Sequence, residues 1–146
     1  MSLIFDSSRV DDTPQYGLGE LTFDETGKAF VYVKASAAIS TGRMAAIDRL
    51  YTAKASPSNT ASGLYGLANH AIAKDKFSWL QRLGPSPALQ VAANCAAFVQ
   101  LYTDSPAGQL DDDASSQKAI RGVWITSARS ASAGPAPCML NWPASL

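Results

Sequence analysis

The run AFVYVKA at residues 29–35 places β-branched and aromatic side chains at most of its positions. Such side chains lose rotamer freedom in a helix and pack well on a pleated surface, so the run predicts a strand. Comparable runs follow at FSWLQ (77–81), AIRGVWITSAR (119–129) and CMLNW (138–142). Between them lie SPSNTASG (56–63), SPAGQLDDDASSQK (105–118) and SASAGPAP (130–137), rich in the residues that make turns. Short strands separated by turn clusters predict a mainly β domain, closed as a small β-barrel or β-sandwich. At 146 residues the chain suits one domain with one moderate core.

Residues 1–28 read as an extended N-terminal arm, with the β domain at 29–146. Pro14, Gly17, Gly19 and Gly27 punctuate the arm, and its apolar residues follow neither a helical nor a strand period. Leu3, Ile4, Phe5 and Val10 are therefore the predicted interface residues. Within the domain, AISTGRMAAID (38–48) reads as a turn and a strand, and LYTAKA (50–55) alternates. Residues 65–82 predict two strands around Lys74-Asp75, stopped by Gly84-Pro85. A helix over 67–83 is the competing assignment, because Ala68, Ile72, Leu80 and Leu83 share a helical face. Leu89, Ala92, Ala93, Ala96 and Ala97 also match a helical stripe, which predicts one short helix before a strand ending near Thr103. The two halves share an order of turn, strand, loop, Gly-led strand and strand, a hint of duplication.

Charge narrows the function. Twelve basic and 12 acidic residues give a formal net charge of +0, and only 16% of residues are charged. That balance offers no electrostatic footprint for nucleic acid and no polybasic patch for a membrane. No apolar run approaches the ~18 residues of a membrane-spanning helix. MSLIFDSSRVDD lacks the basic region and longer apolar run of a secretory signal. A weakly charged, neutral surface is poorly protected from self-association, which suits a protein that works packed against others.

Candidate chemistry is sparse. His70, the single histidine, has no G-x-S-x-G nucleophile motif near it and reads as a structural ring. The run Asp111-Asp112-Asp113 lacks the alternating oxygens and distal Glu of a calcium loop and reads as a solvated turn. Cys95 and Cys138 are too far apart for a metal motif and read as buried free thiols. Gly17-Leu18-Gly19 is too short for a dinucleotide fingerprint. The residues predict no catalytic group, no cofactor and no metal site.

The order of the pieces carries a resemblance. TPQYGLGE, FVYVKAS, AISTGRMAAID, YGLANHAIA, FSWLQ and CMLNWP succeed one another between about residues 13 and 143. In this order they resemble the capsid decoration, or cement, proteins of tailed bacteriophages, although that group more often has Gly at the position of Ser78. The resemblance implies a non-enzymatic structural protein on the capsid exterior of a virion. Its partners would be the major capsid protein and further copies of itself, as a homotrimer, with no nucleic acid or membrane contact. Binding only the assembled shell would stabilise it by mass action, and the arm would drape over a neighbour. No functional residue carries over. The alternative is a β-type carbohydrate- or surface-binding module using Trp79, Trp124 or Trp142 as a stacking platform; a hydrolase built on His70 is the third reading.

Overall fold

The computed structural model describes residues 5–58, 63–114 and 117–145. Ten strands succeed one another: β1 (Leu21–Phe23), β2 (Ala29–Ala35), β3 (Met44–Ile47), β4 (Thr52–Ala55), β5 (Leu64–Leu67), β6 (Phe77–Val91), β7 (Leu101–Thr103), β8 (Leu110–Asp111), β9 (Ala119–Ile125) and β10 (Gly134–Ser145). No helix forms among the described residues, so none there is long and apolar enough to cross a membrane. The strands make one sheet in the order β1-β2-β4-β3-β5-β10-β6-β8-β7-β9. Additional β2–β6, β5–β6 and β9–β10 pairings fold the sheet back on itself. The mainly β class is observed; the architecture is one continuous folded-back sheet rather than a clean barrel.

The 15-residue β6 is the spine. Its first half pairs with β2, for example Tyr32↔Trp79, and its second half with β10, for example Gly134↔Val91. Gly84-Pro85, predicted to stop the strand, lies inside it. Gly84 takes a φ of +98°, open to glycine, where β6 exchanges one partner for the other. Pro85, which has no N–H to give, lies beyond the end of the β2 ladder and in register with Met139 of β10. The short helix predicted near residues 89–97 is absent: Leu89 and Val91 lie on β6, and the chain beyond turns through Asn94 and Phe98, both at positive φ. Alanines match a helical stripe or a strand face equally well, so the period was uninformative. The predicted hairpin also changes. Its first strand ends at Leu67, and a loop tied by an Ile39–Ile72 bridge leads to β6.

Packing is layered. β3 is buried on both faces. Met44 and Ala46 join Tyr65, Leu67, Leu89 and Leu140 in one core. Ala45 and Ile47 join Val31, Val33 and Leu80 in a second. β5 approaches β6 so closely that a Cβ on Gly66 would stand 2.8 Å from Leu80 Cβ. A third cluster, Phe30, Tyr32 and Trp79, lies on the opposite face of β2 and β6.

Against that third cluster lies the described part of the segment read from sequence as an extended N-terminal arm, residues 5–28. Phe5 packs edge-on against Trp79 at 5.0 Å, and Tyr16 meets Tyr32 and Trp79. Asp11 exchanges two backbone hydrogen bonds with Phe77, and its carboxylate accepts the Tyr32 hydroxyl at 2.6 Å. β1 pairs with β2. The described part of the segment is thus a cover on the domain, because three large aromatic side chains would otherwise face water.

Candidate interaction surface

Two irregularities in the sheet aim two side chains at one place. Between Ala29↔Leu83 and Phe30↔Gln81, β6 carries an extra residue, Arg82. Between Leu140↔Val123 and Ala144↔Arg121, β10 carries extra residues that include Trp142. Such bulges re-aim side chains. Trp142 has a φ of 53°, a region costly for a bulky residue, and Gly122 (φ 79°) leaves room for the Asn141 carbonyl. The Arg82 guanidinium carbon then lies 5.5 Å from the centroid of the Trp142 ring.

Arg82 is only 8% exposed. Its Nη2 donates to the Pro143 carbonyl at 3.1 Å, and its Nε has no hydrogen-bond partner. Ion pairs among the described residues join Arg9 to Asp11 and Lys76 to Asp12, and neither involves Arg82. Burial draws the guanidinium below its ordinary pKa, opposed by the nearby Tyr51. Beside this pair the Phe23 ring meets Trp142 at 6.4 Å and a steep angle. Leu21 lies two residues earlier on β1, the terminal strand of the sheet. Leu21, Phe23 and Trp142 are 46%, 55% and 37% exposed. An edge strand with exposed apolar side chains is an unusual thing for a free molecule to carry. Away from this edge another exposed aromatic, Phe98, borders a groove of about 340 Å³ along β9 that Trp124 also lines.

The residues singled out from sequence fall elsewhere. Leu3 and Ile4 lie outside the described residues. Phe5 is half-buried on the aromatic cluster, and Val10 is 40% exposed. His70 Nε2 stands 2.6 Å from Ser78 Oγ, which donates its proton to the Arg9 carbonyl at 2.6 Å. Nε2 must therefore be the protonated nitrogen. The pair resembles a nucleophile and its base, but the hydroxyl proton points away from the imidazole. Nδ1 has no partner where a triad would have a carboxylate. Burial lowers the His70 pKa, with Asp6 opposing.

Cys95 Sγ and carboxylate oxygens of Asp111 and Asp112 lie within 4.8 Å of one another. Burial, and then the two carboxylates, push the Cys95 thiol up to about 12, so it keeps its proton. Asp112 is already engaged by the Ala96 N–H. Cys138 is likewise buried and free. Of the three tryptophans, Trp79 is buried, Trp124 half-buried and Trp142 exposed.

Sequence reasoning missed Arg82, Leu21 and Phe23. The available signal was an arginine inside the apolar strand run FSWLQRL. No protein-family model and no curated protein matches the chain.

Proposed function

We propose that this chain is a structural binding protein of a tailed-phage head, adding to the outside of the assembled shell as a decoration or cement protein. It would contact the major capsid protein and further copies of itself in a trimer. Each copy that binds only the assembled shell adds its binding free energy to that state. The reading rests on the ordered segments that resemble that group. The observation that carries it is the exposed Leu21–Phe23–Trp142 edge on a body whose histidine and cysteines are tied into its packing. An exposed apolar edge of this kind supports a role in contact with a partner.

The test is addition of the purified protein to undecorated phage shells, followed by sedimentation and a thermal shell-disruption assay. Saturable co-sedimentation with a raised disruption temperature is expected. Failure to bind shells, together with retention on immobilised sugars, would replace this reading with the carbohydrate-binding one.

A further inference from the structure

We propose that the groove along β9 is a self-association site whose occupant is the end of β1 from a second copy of this chain. Phe23 enters the groove, and the adjoining Asp24-Glu25 corner meets Arg121. This deepens the self-contact proposed above, on which it rests, by naming the two surfaces that meet.

A gap in the sheet makes the groove. β7 pairs with β9 only at Ala119 and Ile120. Farther along, the Phe98 N–H donates to the Ile125 carbonyl. Between those two ties, on the side away from β10, no strand pairs with β9 among the described residues. Residues 98–100 and 120–124 line the space that is left. Its walls suit an aromatic guest, because they include Phe98 and Trp124. Phe98 is 69% exposed and held at a φ of 58°. An aromatic residue stays in that region only where the surrounding structure enforces it, and such strain concentrates at binding sites. Arg121 is the one charged residue on the lining. It is exposed, and no ion pair among the described residues holds it.

The occupant follows from charge and from the free strand edges. β1 and β9 stand at the two ends of the strand order. The Tyr32 N–H donates to the Glu20 carbonyl and the Asp24 N–H to the Lys28 carbonyl. By the antiparallel alternation, the backbone groups of Leu21 and Phe23 then point away from β2, toward an unpaired edge. Phe23 is 55% exposed, and acidic residues flank β1: Glu20 before it, Asp24 and Glu25 after it. Glu20 and Glu25 are exposed, and neither is held in an ion pair among the described residues. An aromatic ring beside carboxylates is thus available for an aromatic groove that carries a guanidinium. Phe23 of the same copy does not fill it, because that ring stands beside Trp142. The guest comes from another copy. Two different patches make a head-to-tail contact, which closes into a ring such as a trimer when the rotation permits.

The test is a charge swap in the full-length protein, read by sedimentation velocity over a range of concentrations. Wild type is expected to associate beyond the monomer. Arg121→Glu and Glu25→Arg should each weaken association by about tenfold. The double variant should recover it, and so should an equal mixture of the two single variants, since each offers the charge that the other lacks. Both positions are exposed, so unchanged melting temperatures certify the folds. A wild type that stays monomeric, single variants that associate as wild type does, or a folded double variant without recovery would overturn the proposal. Loss of shell binding in Arg121→Glu with self-association intact would overturn it too, by giving the groove to the capsid protein. Co-sedimentation with undecorated shells is scored separately. Charge-swap recovery in a protein that ignores shells leaves the self-contact standing and removes the decoration reading. Shell binding by a wild-type monomer does the reverse.

Discussion

His70 shows how little a suggestive pair of residues means without its proton geometry. Ser78 gives its hydrogen to the Arg9 carbonyl, so the imidazole acts as a donor to the oxygen and serves to hold residue 9 against β6. His70→Ala should cost about 0.5–1.5 kcal/mol, one net hydrogen bond, and leave shell binding intact. A folded His70→Ala variant that no longer binds shells would assign the ring a direct contact. The pH dependence follows from the lowered pKa. Folding prefers the neutral ring, so its contribution is full above the ordinary value of 6.5 and fades as pH falls through the lower folded value. Denaturant midpoints of wild type and His70→Ala should therefore converge as pH drops below 6.5. Constant separation across that range would show that His70 does not titrate with folding. Gly66 is the sharper constraint. Gly66→Ala drives a methyl group against Leu80 on a neighbouring strand, and overpacking of this kind costs about 1–3 kcal/mol. A lowered melting temperature is expected, and an unchanged one would mean that β5 can retreat from β6 freely.

Among elements, those with a two-residue period and bulky side chains were legible, and those made of small residues were not. AFVYVKA is β2 with the bounds read from sequence, because valine and the aromatics favour an extended chain whatever their neighbours. Phe30 and Tyr32 alternate with Val31 and Val33, so both faces are apolar, and a strand apolar on both faces requires a cover on each. On one face that cover comes from the segment read as an extended N-terminal arm. The Ala-rich stretch after Pro87 was illegible because alanine fits either period. The Arg82–Trp142 site was illegible because bulges shift the facing of side chains, and a bulge depends on partners remote in sequence. The cover can be tested as an element. Deleting residues 1–12 removes Phe5 from Trp79 and Asp11 from Tyr32. Half-burial of Phe5 is worth about 1–2 kcal/mol and the hydrogen bond to a carboxylate about 1.5–3 kcal/mol. The truncated protein should melt earlier, with tryptophan emission shifted to the red as Trp79 meets water. Full stability with unshifted emission would restore the free arm.

At the scale of the molecule, the residues that hold the fold together are separate from those of the exposed edge. Two cores and a covered aromatic cluster hold the sheet together, while Leu21 and Phe23 project from its edge and contribute little to any of them. A chain with no net charge has no long-range repulsion to keep such edges apart. Phe23→Ser separates the two roles. Substitution at a largely exposed position changes stability by no more than about 0.5 kcal/mol, so the melting temperature should hold. If Phe23 lies in an attachment surface, its loss removes an interface aromatic worth about 2 kcal/mol, or about thirtyfold in affinity. Co-sedimentation with undecorated shells at limiting protein should then fall, and sedimentation velocity should show weaker self-association. Unchanged shell occupancy in a variant of unchanged stability would remove the β1 edge from the attachment surface. It would direct attention to the Phe98 groove on β9, another place where a large aromatic side chain stands in water.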